Sequence, residues 1–184
     1  MSRTLPKTRP AVSRDQKVDE ILACAELRLR EGGYEALSVA AIARELGLAQ
    51  NAIYWYFASK DELFVAALQR MLAEIAGRKP RKEDADEIER ILWFTDQFKA
   101  LSDLRPAISE RARRSEVVAK FAKDLDALLS RMLSNVLSAR LPPEDLPIAV
   151  EAFRATVEGT TARGLSRQHQ RRVIDFALRR LIGR

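Results

Sequence analysis

A single glycine, Gly47, sets the tightest limit on how this chain can fold. Before it, Val39, Ile42, Ala43 and Leu46 recur at helical spacing behind Ser38, a residue type that caps helix starts. After it comes a second short helical pattern from Gln50 to Tyr56, in which Ile53 and Phe57 lie four residues apart and face one side. Glycine stops a helix in the left-handed conformation that other residues adopt only under strain. Two short helices around so brief a connection fold back as a helix-turn-helix, and the stretch from Ser38 to Leu63 holds it together with the start of the next helix. In that layout the second helix enters the major groove of DNA.

The aromatic run Tyr54-Trp55-Tyr56-Phe57 sharpens this expectation. Four consecutive helical residues point in four directions, so a small three-helix unit cannot bury them all. At least two stay at the surface, where tyrosine hydroxyls and the indole N–H can donate to phosphate oxygens. Ser59-Lys60-Asp61-Glu62 then forms a capping box, with Ser59 and Glu62 expected to satisfy each other's backbone donors. Lys60 runs against the dipole at that helix start, a conflict that a bound phosphate relieves.

The rest of the chain is helical by the same spacing rule, with no period-2 strand, and reads as all-α with about nine helices. The first is expected over Ser13 to Arg30, on the stripe Val18, Ile21, Leu22, Ala25 and Leu29, and is stopped by Gly32-Gly33. The fourth carries Leu63, Phe64, Ala67, Leu68, Met71, Leu72 and Ile75 as far as Gly77. A charged connector, Arg78 to Asp86, marks the expected domain boundary. Beyond it a fifth helix (84–101) places Ile88, Ile91, Leu92, Thr95 and Phe98 on one side. A poorly periodic sixth surrounds Pro106, and a long seventh (115–139) ends at Leu141-Pro142-Pro143. The eighth (144–164) bears the small residues Ala149, Ala152, Ala155, Thr156, Gly159 and Thr160, which let another helix approach, within one subunit or between two. The ninth spans 166–182. The division is therefore a basic arm over 1–14, a DNA-binding unit over 15–58, a connecting helix over 59–77 and a second helical domain over 78–184. The arm, with Arg3, Lys7, Arg9 and Arg14 and no acidic residue, is either a solvated tail or a segment that reaches DNA phosphates.

Composition enters chiefly by exclusion. A hydrophobic fraction of 47% over 184 residues is ample for a packed core, while the apolar runs are far shorter than the ~20 residues of a membrane span. The basic start has no apolar leader segment, and the lone Cys24 allows no internal disulfide, so a cytoplasmic protein is expected. A net charge of +6 suits a polyanionic partner. His169 is the only histidine, and no metal-ligand cluster, glycine-rich phosphate loop or catalytic constellation is visible, so neither metal nor cofactor is expected and an enzyme is disfavoured. The run Arg163, Arg167, Arg171, Arg172, Arg179, Arg180 is expected to form a solvated face.

Taken together, Ile42-Ala43, Gly47-Leu48, Ile53-Tyr54, Tyr56-Phe57 and Ser59-Lys60-Asp61-Glu62-Leu63 resemble the DNA-binding signature of the tetracycline-repressor (TetR) family of transcriptional regulators. With the first helix, the resemblance covers about the first third of the chain. It implies a homodimer on a palindromic double-stranded operator, joined through the eighth and ninth helices, with a C-terminal domain that receives a small-molecule effector. It also implies that Gln50, Asn51 and Ala52 face bases, and that Ser38, Tyr54, Tyr56 and Lys60 contact phosphates. Trp55 touches sugar or base in this scheme, and Arg14 and Val39 complete the expected DNA-binding set. Asn51 stands where the family commonly has glycine, and its amide, like that of Gln50, can read adenine bidentately.

Effector-pocket candidates are the aromatic and polar residues on otherwise apolar helices: Trp93, Phe94, Phe98, Phe121, Met132, Phe153 and Thr156. Any one of these also fits plain core packing. The pattern shows no buried charge that would give the sign of a ligand. A DNA-binding helical protein with no ligand is the alternative.

Overall fold

The computed structural model describes residues 13–78 and 87–183, without the side chains of Glu87 and Ile88. The outer arm residues Arg3, Lys7 and Arg9 and the connector beyond Arg78 lie outside the described residues. Ten helices and no strand are found among those described. They are α1 (Arg14–Ala36), α2 (Val39–Glu45), α3 (Gln50–Tyr54), α4 (Lys60–Gly77), α5 (Glu87–Gln97), α6 (Lys99–Asp103), α7 (Arg105–Ala112), α8 (Glu116–Leu137), α9 (Leu146–Ala162) and α10 (Arg167–Leu181).

Caps hold several of these starts, with those at Ser38 and Ser59 expected from the sequence. Ser13, Ser38, Ser59 and Ser166 each accept a hydrogen bond from the backbone N–H three residues on, the geometry of an N-cap. The box at α4 differs by one residue: the Glu62 carboxylate accepts from Ala58 N–H at 2.8 Å, not from Ser59. The glycines act as expected. α1 kinks at Gly33 (φ 66°), which leaves only a short turn to Ala36, and Gly47 takes φ 64° in the α2–α3 turn.

The expected fifth helix breaks after Gln97, so the region becomes three helices, α5 to α7. Pro106 accounts for the break before α7. It lacks the N–H that would continue an earlier helix's hydrogen bonds, so it suits the first turn of a new helix better than the interior of an old one.

Two apolar cores result. The first joins α1, α2 and α3 through Leu63, Phe64, Leu68 and Met71 of α4 to Leu101, Leu104, Ile108, Val118, Phe121 and Leu125 of α6 to α8. The second, around Ile91, Leu92, Leu137, Val150, Phe153, Ile174 and Leu178, unites α5, the end of α8, α9 and α10. α4 thus belongs to the same core as the helix-turn-helix and as α8. The arginine run near the C-terminus is only partly a solvated face: Arg171 reaches Glu89 and Asp96, each at 3.0 Å, and tethers α10 to α5.

Candidate nucleic-acid interface and effector cavity

In the helix-turn-helix, Ile42, Ala43, Ile53 and Phe57 are buried, and this fixes which residues remain outside. Gln50 and Asn51 are exposed in the first turn of α3. Tyr54 is 41% exposed, and Trp55, just past the helix end, is 85% exposed. Ala52 and Tyr56 are half-buried. An indole so fully in water adds nothing to packing here, so it is free to meet a partner. Ser38 is exposed, and its oxygen is occupied by Ala41 N–H, which leaves the hydroxyl hydrogen available to an acceptor. Arg14 is exposed, opening α1 rather than closing the arm.

Two expected residues are not freely exposed. Val39 is only 6% exposed and its side chain packs in the first core, in line with its place on the apolar stripe of α2, which leaves mainly its backbone to face a partner. Lys60 is half-buried, with its ammonium 4.0 Å from the centroid of the Tyr34 ring. The ring face, not only a phosphate, thus offsets its clash with the helix dipole. Arg44, exposed in the last turn of α2, is a cation that the sequence patterns did not single out.

Behind this surface lies a polar junction between the two parts of the molecule. Asp61, 9% exposed in the first turn of α4, accepts from the Tyr34 hydroxyl at 2.7 Å. It also accepts two bonds from the Arg111 guanidinium of α7, at 3.1 and 2.7 Å. Burial works to raise the carboxyl pKa, but hydrogen bonds from Arg111, Tyr34 and Ser115 outweigh it and hold Asp61 below the ordinary carboxylate range. Burial, and then the Asp61 carboxylate, push the Tyr34 hydroxyl up to about 12. No apolar periodicity marks such a junction, since it depends on residues 50 positions apart meeting in space.

The second domain holds a cavity of about 140 Å³ bounded by α5 to α9. Four of the expected lining residues are there: Phe94, Phe98, Met132 and Phe153. Three are not. Trp93 packs edge-on against Phe94, with centroids 4.9 Å apart, and Phe121 is buried in the first core. Thr156 donates to Ala152 C=O of its own helix instead of facing the cavity. Leu129, Met132, Leu133 and Val136 of α8 are only half-buried although they continue its apolar stripe, because they face this space. One end of the cavity is polar, with Arg105, Arg154 and Glu158 in its wall.

Among the described residues no cluster of three or more His, Cys, Asp or Glu could hold a metal, and no helix is long and apolar enough to cross a membrane. Cys24 approaches Glu45 at 3.5 Å, and burial followed by that carboxylate raises its thiol pKa.

The DNA-facing assignment can be checked by two substitutions. Gln50→Ala should relax base preference at one position per half-site, at a cost of about 1–3 kcal/mol there. Trp55→Ala should leave thermal stability unchanged and weaken DNA binding by about 1 kcal/mol. Competition titrations with single-base operator variants distinguish the two, because a uniform loss for Gln50→Ala across variants contradicts a base-reading role.

Residues 21–67 match the family model described as bacterial regulatory proteins, tetR family. The HTH-type transcriptional repressor KstR of Rhodococcus jostii is 28% identical over 137 residues, 72% of this chain and 63% of that protein, a match shorter than two thirds of the relative. KstR of Mycolicibacterium smegmatis is 26% identical over 92% of this chain and 87% of its own. A transcriptional regulator from Rhodococcus sp. shares the fold with a TM-score of 0.71 at 22% identity, over 90% of this chain and 94% of that one. A regulator from Saccharomonospora viridis, solved in complex with choline, superposes with a TM-score of 0.67 at 18% identity, over 88% and 95% of the two chains. These likenesses and the capped helix-turn-helix around Gly47 agree: residues 21–67 carry the DNA-binding unit described for the tetR family of bacterial regulatory proteins, and the chain as a whole is similar to transcriptional repressors with that unit.

Proposed function

We propose that the protein is a cytoplasmic, ligand-responsive repressor that binds a palindromic operator as a homodimer and is released by a small molecule filling the α5–α9 cavity. Its relatives named above are repressors, and a neighbour of the same fold holds choline. The observation that carries the proposal is α7. This helix of eight residues, about 12 Å long, has Arg105 in the cavity wall at its start and Arg111 on Asp61 in its last turn. A molecule that repositions Arg105 therefore acts on the helix that grips the first turn of α4, and α4 shares a core with the recognition unit. Release requires that the molecule favour one arrangement of this junction over the other, because equal affinity for both shifts nothing.

Dimer formation has its own support. The expected small-residue face of the penultimate helix divides in two: Ala149 and Thr160 are buried within the subunit, whereas Ala152 and Ala155 are exposed. Beside them stand Ile148, 70% exposed on α9, and Phe176, 63% exposed on α10. Two copies meeting on this face would bury both large side chains, and a dimer that reads two half-sites needs its α3 helices about 34–36 Å apart, or a multiple of that. Operator affinity measured with and without a compound that raises the melting temperature tests the regulatory part. At least about fivefold weaker binding with the compound is expected; equal affinity is the outcome of a DNA-binding protein with no effector.

A further inference from the structure

We infer that the α5–α9 cavity takes an amphipathic anion, an apolar body with a carboxylate or phosphate head, and that Arg105 and Arg154 receive the head. The inference rests on the effector-cavity reading above and names the chemistry of that site. The body of the cavity is hydrocarbon, supplied by Phe94, Phe98, Leu129, Met132, Leu133 and Phe153. Its polar end is a ring of four charges from three helices. Arg105 of α7 reaches Asp126 at 3.3 Å and Glu158 at 2.8 Å. Arg154 of α9 reaches the same Asp126 at 2.6 Å and Ser130 at 3.0 Å.

The two signs are not equally placed. The guanidiniums are the more buried partners, with side chains 29% and 15% exposed, against 45% for Asp126 and 43% for Glu158. Both arginines line the cavity, whereas Asp126 does not. Asp126 therefore approaches the arginines from outside the cavity while Glu158 shares the wall with them, and an oxyanion arriving from the cavity meets two guanidiniums and one carboxylate there. A planar guanidinium can exchange one carboxylate for another, or for phosphate, at little net cost, since each offers the same paired acceptors. Burial of the apolar body then supplies affinity, and the head supplies selectivity. A cationic head meets two guanidiniums, and the carboxylate in the wall, Glu158, is already held by Arg105.

Isothermal titration of the full chain with decanoate, decyl phosphate, decan-1-ol and decyltrimethylammonium tests this. One or both anions should bind about 10- to 100-fold more tightly than the alcohol, the range of a charge-assisted bond, with the better anion identifying the head group. Alcohol or ammonium binding as tight as both anions overturns the anionic assignment and leaves the effector cavity standing. Failure of all four to bind overturns the cavity reading and the inference with it. Arg154→Gln should erase the preference for the anion while the alcohol still binds. Asp126→Asn removes a competing carboxylate without touching the cavity wall, so it should tighten anion binding at least about threefold; unchanged or weaker binding contradicts the exchange.

Discussion

Replacing Ile148 and Phe176 together by glutamate should turn the proposed dimer into a monomer and weaken operator binding by about 10²–10⁴-fold, the usual gain from joining two binding modules on one site. Neither side chain supports the subunit's own core: they are 70% and 63% exposed. Each contributes about 1.5–3 kcal/mol when buried in an interface, so removing four such burials per dimer and adding four carboxylates leaves little to hold the copies together. The Arg180 guanidinium, 5.5 Å from the Phe176 ring centroid, would pair with a new glutamate and keep the monomer soluble. Sedimentation and DNA titration on the same samples check the result. A variant that stays dimeric places the interface elsewhere, and a monomer with undiminished affinity contradicts paired half-site binding.

The second large effect is at Asp61. Asp61→Asn keeps the shape of the side chain but removes the charge that holds Arg111 through two bonds and receives the Tyr34 hydroxyl. The loss should be about 2 kcal/mol, which for a chain of this size lowers the melting temperature by about 4–8 °C. The effect has a defined pH dependence. Because the folded protein holds Asp61 below the ordinary carboxylate pKa, its contribution is present at pH above that ordinary value and disappears as pH falls through the lowered one. The stability gap between wild type and Asp61→Asn should therefore be widest near neutrality and close in acid. At the other extreme, Tyr34 favours the folded state below about 10, and that contribution is lost as pH rises through about 12. Arg111→Ala should break the same junction while leaving the cavity and α3 intact. DNA binding would then persist and the response to a cavity ligand would weaken. A variant that responds as wild type does shows that the signal passes around α7.

Much of this was legible in the sequence because it depends on local rules. Gly47 and Gly33 act as helix stops that need a positive φ, and Ser38 and Ser59 cap the helices that follow them. The division of α3 into buried Ile53 and exposed Gln50, Asn51 and Trp55 also follows from helical spacing. What could not be read is what depends on distant partners. Periodicity marked Val39 as apolar, and its burial follows from that, so the family pattern and the local rule conflicted at that position. Phe121 and Met132 both belong to the apolar stripe of α8; one is buried in the first core and the other faces the cavity, because α8 passes from the first core to the cavity along its length. The charged residues that matter most, Arg105, Arg111 and Arg154, lie on helix faces that resemble solvated ones. Only the fold brings Asp126 and Glu158 to two of them and Asp61 to the third.

Selection of bound duplexes from a random pool shows whether paired α3 helices read a symmetric DNA site. The full chain should enrich a palindrome whose half-site centres lie one helical turn apart or a multiple of it, about 10–10.5 base pairs per turn. The same selection with Trp55→Ala and Gln50→Ala combined should lose that enrichment. A pool with no enriched sequence, or an enriched site without two-fold symmetry, would contradict the account.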